Sequence, residues 1–291
     1  GAPWMTVNEG RTIQNMPKLV GAGFDLPVQP LNLLYGGQMP SMAGAQNRTP
    51  KAKSVLLSRD AGGPLRVKAA VTDEDAVLAA GVLRKFFTRQ RKAVLSKLGA
   101  KAPDWWDGDR WNGELADDLA VLAVSMTARL GAEAVEDLGL PAGTYSVEQT
   151  VRFLRAIAES RASMINEATF RQLEAALADE LSEDAGKSSP AGVFDEAESS
   201  RAEAAGVTLA TTLTAFAITE VGRQSGRPGV TKQWIVTSTN PRPSHAVMNG
   251  EIVPVGEPYS NNMDWPGDIS GAGGDANEIA NCSCVSDLLL P

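Results

Sequence analysis

The residue types that most often carry chemistry are concentrated in the last part of the sequence. His245 is the only histidine, and the only two cysteines, Cys282 and Cys284, follow it in the segment NCSC at 281–284. With one carboxylate as a fourth ligand, these residues make a donor set that zinc accepts. The spacing Cys-x-Cys is shorter than the Cys-x2–4-Cys of common zinc modules. Zinc at these three residues is therefore an alternative, and our main expectation is that no metal binds.

The same residues allow a nucleophilic pair, in which a cysteine thiolate attacks and His245 acts as the base. No third group that would orient the histidine is recognisable, and none of the patterns GxxxxGK[ST], GxGxxG, HExxH and GxSxG occurs. We therefore expect no enzymatic activity, no catalytic residue and no cofactor. The alternative is a toxin-like or metal-dependent hydrolase or nuclease that uses His245 with Cys282 or Cys284.

We expect these residues to form a buried polar cluster that holds a small β-rich segment together, because satisfied buried polar groups specify a single structure. The predicted members are Arg242, His245, Asp268, Asn281, Cys282 and Cys284. Two further residues, Arg201 and Glu220, precede this segment in a helical stretch. We interpret them as a helix pair that makes a structural salt bridge or capping contacts rather than as catalytic groups.

The charge balance constrains the partners of the chain. Its 291 residues include 27 basic and 35 acidic side chains, which gives a formal net charge of −8. Nucleic-acid binding depends on Lys and Arg that displace counterions from phosphates, so the surface as a whole does not attract DNA. A local basic group still allows a weak DNA contact; it consists of Arg84, Lys85, Arg89, Arg91 and Lys92. No unbroken apolar run approaches the roughly 18 residues of a membrane span, so we expect no membrane contact.

Composition and periodicity predict an α+β fold, mainly α, in which an elongated helical body precedes a small C-terminal subdomain of β-hairpins and loops. Residues 1–35 are rich in Pro and Gly, and 36–71 have the composition of a linker. Apolar side chains at helical spacing define a helical domain over 72–225, interrupted at 183–192. Residues 226–291 form the β-rich subdomain, with clusters of β-forming residues between turns.

Local signals place several element boundaries. Thr72 or Asp73 is suited to cap a first helix that ends at Gly99. A second helix is expected from Glu114, a third from Ser146, and a fourth region ends before 226–228. The pair Asn249–Gly250 lies between two β-forming runs, which predicts a tight hairpin turn.

Five short motifs follow one another in the C-terminal part: KQW (232–234), RPSH (242–245), NGEIVP (249–254), WPGD (265–268) and NCSC (281–284). In this order they resemble the C-terminal module of phage Mu F-type head morphogenesis proteins. The helical segment AFAITEVGR (215–223) is also similar to the family's Ala-x-Thr-Glu helix. Ser283 stands where the family usually has arginine.

The first part contains the segments TVNEGR (6–11), NMPKL (15–19), GAGFDL (21–26) and QPLNLL (29–34). Together these segments resemble the C-terminal end of portal proteins of long-tailed phages. Together the two resemblances imply a fragment of a portal–head morphogenesis fusion, that is, a structural or minor capsid protein of a phage or prophage. They imply portal and capsid proteins as partners, a role in capsid assembly and genome packaging or ejection, and a location inside the capsid or at the portal vertex, with host cytoplasm as the place of assembly.

Overall fold

The computed structural model describes residues 65–67, 71–180 and 189–291. All of them belong to one unit of the chain, which the contacts between Cα atoms place within 52–291. The predicted portal-like segment at 1–35 and most of the predicted linker at 36–71 lie outside the described residues. Within that linker, however, residues 65–67 form a strand, so the prediction of a linker is wrong at these positions.

The described part is mainly helical, as predicted. Its long helices are α1 (Asp73–Gly99), α2 (Gly108–Asp137) and α3 (Val151–Glu180), the last preceded by a 3-10 turn at Val147–Gln149. Helix α4 (Pro190–Glu196) continues through a π-helical turn at Ala197–Arg201 into α5 (Ala202–Gln224). The two short helices are α6 (Pro243–Ala246) and α7 (Ala276–Ile279).

Side-chain caps decide where the first two helices begin. The Thr72 hydroxyl oxygen accepts the backbone N–H of Asp75 at 3.1 Å, which confirms the predicted start of α1. Helix α2 begins at Gly108 rather than at the predicted Glu114, because the Asp107 carboxylate accepts the N–H of Arg110. The earlier start places Trp111 inside the helix, where it is buried.

The core of the helical part forms where α1 and α5 pack against each other and where α2 packs against α3 and α5. Gly206 on α5 allows the closest approach, since a Cβ atom there would lie only 2.7 Å from the Ala76 carbonyl oxygen of α1. Of the described helices, the continuous run Pro190–Gln224 is long enough to span a membrane and contains an 18-residue window with a mean hydropathy of 1.4. Core packing explains this character, because 78% of the apolar window is buried inside the protein.

The four strands described form one antiparallel sheet in the order β1–β4–β2–β3. They are β1 (Leu65–Val67), β2 (Thr231–Ile235), β3 (Ile252–Pro254) and β4 (Val285–Leu290). Strands β2 and β3 pair as expected, but Asn249–Gly250 is not a two-residue turn between them. The connection spans 236–251 and contains α6, while the Gly250 N–H donates to the Trp234 carbonyl at 2.8 Å.

The sheet region is not a separate subdomain, although the sequence predicted a boundary at 225–226. Helix α5 packs against β4, and Leu288 of β4 lies against Gly222 of α5. Trp265, from the loop after β3, packs edge-on against Phe216 of α5 with ring centroids 5.1 Å apart. Helices and sheet therefore share one body.

Candidate functional site

Two connections of the sheet bring the histidine and the cysteines together. Helix α6 carries His245 in the connection between β2 and β3, and Cys282 and Cys284 lie between α7 and β4. Asn281 has a left-handed backbone with φ of 54°, which turns the chain out of α7. Its backbone N–H donates to the Thr208 hydroxyl at 3.0 Å, so this turn is fixed to α5.

One ring nitrogen of His245 faces both sulfur atoms. Its Nδ1 lies 3.5 Å from Cys282 Sγ and 3.6 Å from Cys284 Sγ. The ligand atoms of the three residues all lie within 4.8 Å of one another. All three side chains are buried, with 2–3% of their surface exposed. The structure thus brings together the central members of the predicted polar cluster.

The remaining contacts fix the orientation of the imidazole. His245 Nε2 lies 3.4 Å from Oε2 of Glu278 on α7, and the Ser244 hydroxyl donates to the same carboxylate oxygen at 2.9 Å. The Trp234 ring meets the imidazole edge-on, with centroids 5.3 Å apart. Arg242, another predicted member, donates to the Ala280 carbonyl oxygen and so joins α6 to the end of α7.

The two thiols have unequal acidity. The hydrogen bond from Cys284 is the largest cause that lowers the pKa of the Cys282 thiol; burial opposes the shift, and His245 adds to it. Proximity to Cys282 raises the pKa of Cys284, and burial acts in the same direction. A thiolate is the form of cysteine that binds metals and attacks electrophiles, so Cys282 has the chemistry for either role.

Asp268 belongs to a neighbouring site and not to the thiol cluster. Its carboxylate accepts the backbone N–H groups of Asp264 and Ser270, each at 3.0 Å, and so shapes the WPGD turn. Beside it, Arg161 of α3 donates to the Gly267 carbonyl at 2.9 Å and to the Thr212 hydroxyl at 3.1 Å. Burial lowers the pKa of Arg161 to about 10, and Asp268 opposes this shift.

Arg201 and Glu220 do not form the predicted pair. They are 19 residues apart on one continuous helical run, which corresponds to about 28 Å at 1.5 Å per residue. Arg201 donates to the Gln172 side-chain oxygen at 2.7 Å and to the Thr169 hydroxyl at 3.0 Å. Glu220 pairs instead with Arg223 at 2.8 Å.

A buried lysine near the WPGD turn was not predicted as a site residue. Lys232 of β2 is 1% exposed, and its ammonium donates to the Asp264 carbonyl oxygen at 2.6 Å. Burial lowers its pKa to about 8, which the Asp264 carboxylate opposes. Arg223 pairs with that carboxylate at 3.0 Å, so α5, β2 and the turn are linked through charged groups.

Three arginines of the predicted basic group are paired within the protein. Arg89 contacts Asp118 at 2.5 Å, Arg91 contacts Asp195 at 2.6 Å, and Arg84 lies 3.8 Å from Glu203. These carboxylates reduce the positive potential that DNA would meet at α1.

A cavity of about 500 Å³ lies elsewhere, between α2 and the segment that leads to α3. Its lining includes Val135, Leu140 and Tyr145 but none of the thiol or histidine groups.

The comparisons with known proteins found no matching family model, no matching curated protein and no matching solved structure.

Proposed function

We propose that this chain is a portal-associated minor head protein of a phage particle. It acts in capsid assembly and in genome packaging or ejection through protein–protein contacts, inside the capsid or at the portal vertex, after assembly in the host cytoplasm. The observation that carries this proposal is the ordered set of five motifs at 232–284 that resembles the Mu F-type module. The portal-like motifs at 6–34 agree with it.

An architectural role for these motifs is supported by their contacts. Trp234 of KQW packs on His245 of RPSH, and Gly250 of NGEIVP pairs with the Trp234 backbone. Trp265 of WPGD packs on the helical part, and Cys282 of NCSC lies beside His245. Each motif therefore supplies a contact that holds the C-terminal region in one arrangement.

Burial of the reactive side chains supports a binding role over an enzymatic one. His245, Cys282 and Cys284 are at most 3% exposed, so a large substrate such as DNA cannot reach them without local unfolding. Contacts with neighbours in a particle require exposed apolar groups instead, and Val77, Leu78 and Val121 on α1 and α2 are 52–72% exposed. A stable interface buries about 1,200–2,000 Å² in total.

Co-expression with the portal and major capsid proteins of the phage tests the proposal. We expect the chain to remain with assembled heads after nuclease treatment and a high-salt wash, and mass spectrometry of the purified heads will detect it. An unrelated acidic protein of similar size, expressed in the same way, controls for passive enclosure. Absence of the chain from the heads would refute the proposal.

The alternative hydrolase or nuclease is tested on the purified chain. DNA cleavage is measured with and without divalent metals, and the His245→Ala variant serves as the control. We expect no cleavage above background in either protein. A metal-dependent cleavage that the variant lacks would favour the alternative.

A further inference from the structure

The donor atoms of His245, Cys282 and Cys284 are spaced like the ligands of a tetrahedral metal ion. A zinc ion with bonds of about 2.3 Å to sulfur and 2.05 Å to nitrogen, at tetrahedral angles, would hold N and S about 3.6 Å apart. The observed distances from Nδ1 are 3.5 Å to Cys282 Sγ and 3.6 Å to Cys284 Sγ. The two sulfur atoms lie within 4.8 Å of each other, against about 3.8 Å in such a complex, so one ion reaches all three atoms if the sulfurs move by at most about 1 Å.

Both sulfur atoms face one ring nitrogen of His245, although its single lone pair accepts only one well-aligned S–H donor. The hydrogen bond between the two thiols accounts for the other S–H group. His245 Nε2 is buried without a hydrogen-bond partner among the described residues, and the Glu278 carboxylate lies 3.4 Å from it. A metal ion between Nδ1 and the two sulfurs would accept electron pairs from all three atoms in this arrangement.

The surroundings of the cluster also resemble those of a metal site. A metal-bound histidine commonly directs its other ring nitrogen to a carboxylate. Here the Glu278 carboxylate lies 3.4 Å from His245 Nε2. Two thiolates, a neutral imidazole and Zn²⁺ have no net charge, so such a complex suits residues that are at most 3% exposed.

The Cys-x-Cys spacing is shorter than that of common zinc modules. It nevertheless suits two ligands that lie directly before a strand. They lead directly into β4, and side chains at i and i+2 face the same side of an extended chain. Cys282 and Cys284 are buried, while Ser283 between them is partly exposed. Both thiols thus meet the same histidine.

We propose that His245 Nδ1, Cys282 Sγ and Cys284 Sγ bind one zinc ion that stabilises the C-terminal region. Among the described residues the ligand group has these three members, which leaves the fourth coordination position of the ion open. Zinc is the ion of choice because it combines soft thiolate and imidazole ligands in tetrahedral geometry. This inference does not depend on the proposed function.

Metal analysis of the full chain tests the site. We expect one zinc per chain after purification from zinc-supplemented medium, and loss of this zinc in Cys282→Ser and Cys284→Ser. Ser283→Ala changes the residue between the two ligands and is the matched control, which keeps its zinc. Glu278→Gln should weaken zinc binding 10- to 100-fold in a chelator competition, because it removes the carboxylate beside the ligand histidine.

Cobalt substitution gives a readout on the unmodified chain, so the test holds even if the serine variants fail to fold. Co²⁺ bound by two thiolates should produce sulfur-to-metal charge-transfer absorption and the visible bands of a tetrahedral complex. Zinc should also protect both thiols from a thiol-reactive dye. A wild-type chain that binds no zinc, a cobalt complex without thiolate absorption, or zinc that persists in both serine variants would overturn the proposal.

Discussion

Replacing Gly206 by alanine tests the helix packing that positions the site. Gly206 lies two residues before Thr208, the residue that holds the Asn281 turn beside Cys282. A Cβ atom at position 206 would lie 2.7 Å from the Ala76 carbonyl oxygen, 2.8 Å from the Ala80 backbone nitrogen and 2.9 Å from the Ala80 Cβ. None of these atoms is at the end of a flexible side chain, so α1 and α5 must separate to accept the methyl group.

The size of the effect follows from two opposing contributions. An ordinary contact of about 3.5 Å requires α1 and α5 to separate locally by about 0.8 Å. Overpacking of this kind costs about 3 kcal/mol, at the upper end for added methyl groups because backbone atoms are in the way. Alanine returns about 1 kcal/mol through its higher helix propensity. We therefore expect Gly206→Ala to lower the free energy of unfolding by about 2 kcal/mol.

The same substitution at Gly113 of α2 should have the opposite sign. Gly113 is exposed, and a Cβ atom there meets nothing within 4 Å, so only the helix propensity of about 1 kcal/mol acts. Urea denaturation followed by circular dichroism will measure both variants against the wild type. If Gly206→Ala is as stable as Gly113→Ala, the close approach of α1 and α5 is wrong.

Three further substitutions test other contacts. Thr72→Ala removes the cap of α1 and should cost about 1 kcal/mol in urea denaturation; no loss would show that the cap is not formed. Trp265→Ala leaves a cavity against Phe216 and should cost about 3–5 kcal/mol in the same assay, and a loss below 1 kcal/mol would contradict this packing. Burial lowers the pKa of Lys232 from 10.5 to about 8, so between these pH values the unfolded chain binds more protons and stability rises with pH. Lys232→Met should remove that rise when unfolding is measured at pH 8 and pH 10, and an unchanged pH dependence would place the ammonium in solvent.

The parts of the fold that sequence predicted are those determined by local chemistry. The cap at Thr72 and the end of α1 at Gly99 depend on neighbouring residues, and both are confirmed. The strand at 65–67 could not be found in this way, because its three residues pair with Leu288, Leu289 and Leu290, more than 200 positions later. Asn249–Gly250 does form a turn, closed by the Glu251 N–H donating to the Met248 carbonyl oxygen at 2.8 Å. The prediction that this turn joins β2 directly to β3 is wrong, because α6 lies in the same connection.

Sequence identified the thiol and histidine residues because they are rare, but it could not supply their distances. The sequence-based prediction did not include Arg161 among the site residues, although the position of this arginine in the sequence indicates that it is buried. Arg161 lies midway between Ile157 and Ile165, at helical spacing within an apolar stripe. A charged residue at such a position is buried and needs specific partners, here the Gly267 carbonyl and the Thr212 hydroxyl.

The position of β4 in the sheet has a consequence for synthesis on the ribosome. Strand β4 lies between β1 and β2, yet its residues 285–290 are translated after all the other described elements. Until residues 285–290 emerge from the ribosome, β1 and β2 lack the strand that lies between them. Helices α1 to α5 can already pack against one another at this stage. The sheet therefore closes late, and a ribosome that stalls before position 285 leaves β2 with an unpaired edge that is open to aggregation or degradation.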